Sequence, residues 1–186
     1  MLQLLNWLNA HLAANGGLKV EGVAGGVPTV SVGVSKSVTV TPVLTVAGLY
    51  ASGDFVGTSA TAMDFTPMAR AAAGSGLILG ALLVDDSAQT VPLELWLFHT
   101  APAGLPADNA AFTMTDAGAL NRIGVIEFNT YHASALNTAS DGEICNGHAP
   151  FVCAAGDQSI FGVLVTRGAP TYATGQLHIT LLAVQD

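Results

Sequence analysis

A chain of 186 residues carrying 10% charged side chains and a formal net charge of −8 has the length of one domain and far fewer charges than an ordinary soluble one. Its basic residues, Lys19, Lys36, Arg70, Arg122 and Arg167, stand singly, which argues against nucleic acid and anionic lipid as partners, since both need clustered cations. With 51% apolar residues and so little charge, part of the surface is expected to be covered by other subunits.

The chain opens on a helical pattern over residues 1–14. Met1, Leu4, Leu5, Leu8 and Leu12 recur at three- and four-residue spacing, and Leu2 and Trp7 widen the stripe. Asn15, Gly16 and Gly17 stop it, because Asn and Gly accept the left-handed backbone past a helix end. So short a helix does not stand alone in water. It must lie on its own domain, on a neighbouring subunit or larger assembly, or on a membrane surface. The last fits poorly, since its polar face has no cation. Leu4, Leu5, Trp7, Leu8 and Leu12 are the expected contact residues of this N-terminal arm. The segment lacks the basic start of a secretion signal, which points to synthesis in a cytoplasm.

From residue 18 onward the period is two. Val30, Val32 and Val34 face one way against Thr29, Ser31 and Gly33, and Val38 and Val40 repeat this against Ser37, Thr39 and Thr41. The Gly- and Val-rich stretch 15–48 reads as an extended arm. Next comes YASGDFVGTSATAMDF, residues 50–65, in which Tyr50, Gly53 and Asp54 form a turn: Gly53 accepts φ > 0 and Asp54 caps through its carboxylate. Phe55 and Val56 return to the core. Met63 and Phe65 then point away from Asp64.

Further strands are expected at 76–84, 91–98, 123–128, 159–167 and 175–184. DDSAQ, TAPAGLPADN, TASDG, AAGDQ and RGAPTYATG read as turns between them. NAAFTMTDAGALN holds a short helix capped by Thr115 or Asp116. No helix long enough for a parallel crossover follows residue 14. The pattern predicts a mainly β protein: an antiparallel β-sandwich or jelly roll over 36–186, preceded by a short N-terminal α-helix and extended arm over 1–35.

Chemistry is sparse. GSGLILG at 74–80 has the wrong spacing for a dinucleotide loop and reads as strand. The longer apolar stretch GSGLILGALLVDD ends at Asp85 and Asp86, well short of the ~20 apolar residues of a spanning helix. No G-x-S-x-G, H-E-x-x-H, P-loop or EF-hand sequence occurs, and His11, His99, His132, His148 and His178 are dispersed. Ser59, His99 and Asp54 make a triad only on paper. Asp85 and Asp86 read as turn residues, and the loop aspartates at 54, 64, 108, 116, 141 and 157 lack a calcium spacing. Cys145 and Cys153 flank His148; free thiols, a disulfide and three metal ligands are the alternatives. In LELWLF, Leu93, Leu95 and Leu97 fill one face, while Glu94, Trp96 and Phe98 share the other, a subunit contact or a sugar platform. No catalytic residue, cofactor, metal or small-molecule substrate is expected.

YASGDFVG (50–57), GLILGALLVDDSAQTVPLELWLFHTAP (76–102), PADNAAF (106–112), GVIEF (124–128) and the closing GDQSIFGVLVTRGAPTYATGQLHITLLAV occur in order. Over about residues 40–184 this set resembles small β-rich structural proteins of tailed bacteriophages, found among virion and capsid decoration or cement proteins. The resemblance implies a virion component without enzymatic activity, made in the cytoplasm of the bacterial host. It further implies a homo-oligomer, by expectation a trimer clamping neighbouring capsomers, with itself and the major capsid protein as partners. The alternative is a receptor- or glycan-binding module associated with a tail or fibre.

Overall fold

The structure, a computed structural model, describes residues 34–46, 48–144, 147 and 149–186. The predicted arm residues Leu4, Leu5, Trp7, Leu8 and Leu12, like Cys145 and His148, lie outside the described residues.

The period-two segments are strands. They run β1 (Val34–Val40), β2 (Gly48–Leu49), β3 (Phe55–Val56), β4 (Met63–Phe65), β5 (Ser75–Asp85), β6 (Leu93–Phe98), β7 (Arg122–Phe128), β8 (His132–Ala133), β9 (Thr138–Ile144), β10 (Ala149–Val152), β11 (Ile160–Thr166), β12 (Thr171–Tyr172) and β13 (Leu177–Gln185). Among the described residues one helix forms, α1 (Asp116–Leu120), and the Thr115 hydroxyl caps it by accepting from the Gly118 amide at 3.1 Å. TASDG is not a turn but the heart of β9. Its inward positions are Thr138, Ser140, Gly142 and Ile144, so within TASDG the alternation has no large apolar side chain to mark it.

Eleven strands make one antiparallel sheet in the order β1-β13-β5-β9-β7-β6-β11-β3, with β10, β4 and β8 branching onto β5, β11 and β9; β12 and β2 form a separate ribbon. The sheet curls at β9. Residues Thr138–Gly142 pair with β5, whereas Glu143 and Ile144 pair with β7. Gly142 permits the bend: a Cβ there would lie 2.5 Å from Ile126 Cγ2 and 2.6 Å from Phe128 Cε1. The inner face carries Ile78 and Leu83 of β5, Ile179 and Leu181 of β13, Leu93, Leu95 and Leu97 of β6, Ile126 and Phe128 of β7 and Leu164 of β11, all in one buried cluster. Each such side chain contributes about 1.5–3 kcal/mol on burial.

The β6–β11 half has a second apolar layer on its outer face. Phe98, Val163, Val165 and Phe55 are buried there with Leu105, and Phe112 and Met114 pack against them. The loop before α1 therefore roofs this half of the sheet. The outer face of the β5–β13 half has no such roof among the described residues.

Candidate functional site

The turn at 50–54 is held from several directions. Gly53 has φ +95°, its amide donates to the Thr166 carbonyl at 2.7 Å, and its carbonyl accepts from the Phe112 amide at 2.9 Å. The Asp54 carboxylate accepts from the Ala51 amide at 2.7 Å, closing the turn on itself. The Tyr50 amide donates to the Pro170 carbonyl at 2.9 Å. Beyond the turn, the Phe55 amide donates to the Ala110 carbonyl and the Asn109 amide to the Phe55 carbonyl, at 2.9 and 3.0 Å. The YASGDFVG and DNAAF elements are thus docked on each other, though they lie far apart in the chain.

Asp108 is the centre of this unit. It is only 3% exposed. Its Oδ2 accepts from the amides of Thr45 at 2.7 Å and Val46 at 2.8 Å. Its Oδ1 accepts from the Tyr50 hydroxyl at 2.8 Å and the Gly57 amide at 3.2 Å. The Asp108 amide donates to Ser59 Oγ at 3.1 Å, and that hydroxyl is 2.7 Å from Thr45 Oγ1. Burial first, and then the Asp108 carboxylate, hold the Tyr50 hydroxyl protonated far above its ordinary range. A carboxylate with at least two donors on each oxygen has no lone pair left for an outside proton donor. The cluster is therefore a staple joining residues 45–46, 50, 57 and 108. PADN marks a turn in the sequence; nothing local announces that its carboxylate reaches back across the fold.

The other sequence candidates stay apart. Ser59 bonds to Thr45 and Asp108, His99 Nδ1 lies 2.9 Å from the Val152 carbonyl, and Asp54 closes its own turn, so no triad forms. Asp85 is fully buried; its Oδ1 accepts from the Ser87 amide at 2.7 Å, the turn role its sequence suggests. Asp85 Oδ2, the Ser140 hydroxyl and the Tyr172 hydroxyl are buried without a hydrogen bond of acceptable geometry. Burial, and after it the nearby Asp85 charge, push the Tyr172 and Tyr131 hydroxyls well above their ordinary range. His178 bridges Asp86, 3.1 Å from Nε2, and Thr41 Oγ1, 2.8 Å from Nδ1. Cys153 is buried and free. Among the described residues no three His, Cys, Asp or Glu side chains gather at metal-binding spacing.

The Glu94–Trp96 face forms a shaped recess of mixed chemistry. It is a groove of ≈ 430 Å³ lined by Glu94, Trp96, Arg122, Gly124, Glu127 and Arg167 among others. Arg167 grips Glu94 in a fork, Nε to Oε1 at 2.7 Å and Nη2 to Oε2 at 2.6 Å, and the Trp96 indole donates to Glu94 Oε2 at 2.9 Å. The Arg167 fork, outweighing the opposing cost of burial, holds the Glu94 carboxyl below its usual range. The strand pairing slips between Leu97 and Phe98, leaving Ile123 as the extra residue and setting Arg122 opposite Phe98. The Arg122 guanidinium then lies 5.0 Å over the Trp96 ring, whose edge meets Phe112 at 5.4 Å between centroids. Trp96 is thereby a covered wall of the groove rather than an open aromatic platform. Phe98, its sequence companion, lies under the loop roof.

No protein-family model and no curated protein matches the chain.

Proposed function

We propose that the protein is a structural subunit of a tailed-bacteriophage particle, a decoration or cement protein that binds and stabilises the shell through subunit contacts. In this proposal residues 36–186 are a sandwich-like or jelly-roll body, residues 1–35 supply the helix and extended arm, and the working unit is a homo-oligomer, by expectation a trimer. Its site of action is the virion, with the major capsid protein as partner and no enzymatic step. One observation carries it: the two elements on which the resemblance to phage virion proteins rests, Y-x-x-G-D and D-N-A-A-F, dock into one buried staple whose carboxylate is saturated by donors. They serve architecture, which fits a shell component.

The test mixes the full chain, and a variant lacking residues 1–16, with undecorated shells of the phage that encodes it, and pellets the shells. The full chain should pellet with the shells while the variant stays folded in the supernatant. Full-length protein left in the supernatant refutes shell binding; a variant that pellets normally refutes the arm.

The mixed-chemistry groove favours a second reading, a glycan-binding module of a tail or fibre. Glycan-array binding lost on Arg122→Ala would support it, and an array without signal would remove it.

A further inference from the structure

The two halves of the sheet are finished differently on their outer faces. Phe98, Val163 and Val165 are covered by the loop carrying Leu105, Phe112 and Met114. The corresponding face of β5 and β13 carries Leu77, Leu79, Leu82, Val84, Leu182 and Val184 beside His178 and Thr180, and no described residue forms a second buried apolar layer over it. Leu77 of β5 stands opposite Val184 of β13 and Leu82 opposite Thr180. Between them the register slips: Ala183 faces Ile78 and Leu182 faces Gly80, so Leu79 is the extra residue of a bulge. The bulge resets the phase of β5 and turns Leu77, Leu79, Leu82 and Val84 to the same side. Leu79 is 45% exposed and Leu182 39%, and the two border one shallow groove with Ser35, Lys36, Ser37 and Ala183. Hydroxyl side chains flank the stripe on β1, where Thr39 Oγ1 meets Thr180 Oγ1 at 2.8 Å.

We propose that this face is covered by the same face of a second copy of the chain, sheet against sheet about a two-fold axis. Three observations select that occupant. The stripe itself is poor in carboxylates: of the outward residues on β5, β13 and the part of β9 paired with β5, only Asp141 at the margin is one. A chain of net charge −8 repels its own copies, and a face without carboxylates is where the repulsion is least. The footprint is also adequate. Nine residues of β13 at about 3.4 Å each, crossed by four strand rows at about 4.8 Å, give about 600 Å² per copy, or about 1,200 Å² in total, the lower end of stable specific interfaces. Finally, leucine knobs flanked by hydroxyls can interdigitate with their own copy about a two-fold axis at the ~10 Å spacing of packed sheets. The proposal does not depend on shell binding, because association in solution and shell binding are separate measurements, but it sets a two-fold dimer in place of the trimer expected from the phage resemblance.

Sedimentation equilibrium of the full chain from about 1 to 100 µM tests it, alongside Leu79→Asp/Leu182→Asp and the milder Leu79→Thr/Leu182→Thr. The wild-type mass should be that of a dimer. The Asp variant should be monomeric, and the Thr variant should dissociate about tenfold or more readily, with the β circular-dichroism signal and cooperative melting kept. Leu136→Asp, on a separate exposed turn, should leave the dimer intact. A wild-type monomer at the top of that range, a trimer, or a dimer unmoved by the Thr variant overturns the proposal. So does an Asp variant that is monomeric only because it has unfolded, if the Thr variant stays dimeric.

Discussion

Replacing Asp108 with Asn keeps the shape of the side chain and removes its charge and one acceptor oxygen. In the wild type at least two donors converge on each oxygen: the Thr45 and Val46 amides on Oδ2, with the Thr45 hydroxyl more distant at 3.5 Å, and the Tyr50 hydroxyl and the Gly57 amide on Oδ1. If the new NH₂ group takes the Oδ2 place, it confronts two backbone amides that cannot reverse. If it takes the Oδ1 place, the Tyr50 hydroxyl can turn to accept, but the Gly57 amide is stranded. The second arrangement is the cheaper. It forfeits one charge-assisted bond, worth about 1.5–3 kcal/mol, and weakens the others, for a total loss of about 2–4 kcal/mol. A domain of this size loses about 2–4 °C of Tm per kcal/mol, so the Asp108→Asn variant should melt about 5–15 °C lower. Urea unfolding at neutral pH, followed by circular dichroism, measures the loss directly. Tyr50→Phe removes one hydrogen bond and should cost about 1–2 kcal/mol, coupled to Asp108→Asn by about 1 kcal/mol in a double-mutant cycle. Asp54→Ala, which removes one of the several hydrogen bonds at its turn, should cost about 1 kcal/mol. An Asp108→Asn variant within about 0.5 kcal/mol of wild type would show that the staple does not hold the loops, and the reasoning above would fail.

Three further outcomes are expected. Tyr50, Tyr131 and Tyr172 all have hydroxyls raised by burial, so their stabilisation is complete below the unfolded tyrosine pKa of about 10 and is lost as pH rises beyond it. Unfolding free energy measured from about pH 9 to 11.5 should fall with a slope of up to about 4 kcal/mol per pH unit, and each Tyr→Phe variant should remove one proton from that slope; a flat profile contradicts it. Gly142→Ala should cost about 1–3 kcal/mol, since its methyl group meets Ile126 and Phe128, and thermal melting equal to wild type would mean β9 bends without needing a bare backbone there. Breaking the partly exposed Arg167–Glu94 fork with Arg167→Met should cost at most about 1 kcal/mol near neutrality; the effect should vanish as pH falls through the lowered Glu94 pKa, and a cost that persists at about pH 2 would point to lost packing instead.

Much of the sheet is written in the local alternation of the chain. GLILGALLV supplies β5 as a continuous apolar run, and LELWLF, SIFGVLVTR and LHITLLAV supply β6, β11 and β13 because each sets branched or aromatic residues on every second position. Thr115 announces α1 by its capping hydroxyl. Two features escape because their cause is not local. β9 turns small polar residues inward where the sheet bends, so no apolar period marks it. Asp108 is one turn-like aspartate among several, and only the closed fold carries Tyr50, Thr45 and Gly57 to it. The bulges at Leu79 and Ile123 are likewise products of pairing register, a property of two strands together and not of either alone.

The outermost pairing of the sheet has a kinetic meaning. Val34 at the start of β1 faces Gln185 at the end of β13, and β13 also zips along β5. A chain leaving a ribosome at ~5–20 residues per second exposes β1 and β5 many seconds before their shared partner exists. Until Gln185 emerges, both carry unpaired backbone edges, and the valines and leucines beside them face water. Closure of the sheet is therefore a late, long-range event, slow in the manner of high contact order. The nascent chain is at its stickiest just before β13 emerges.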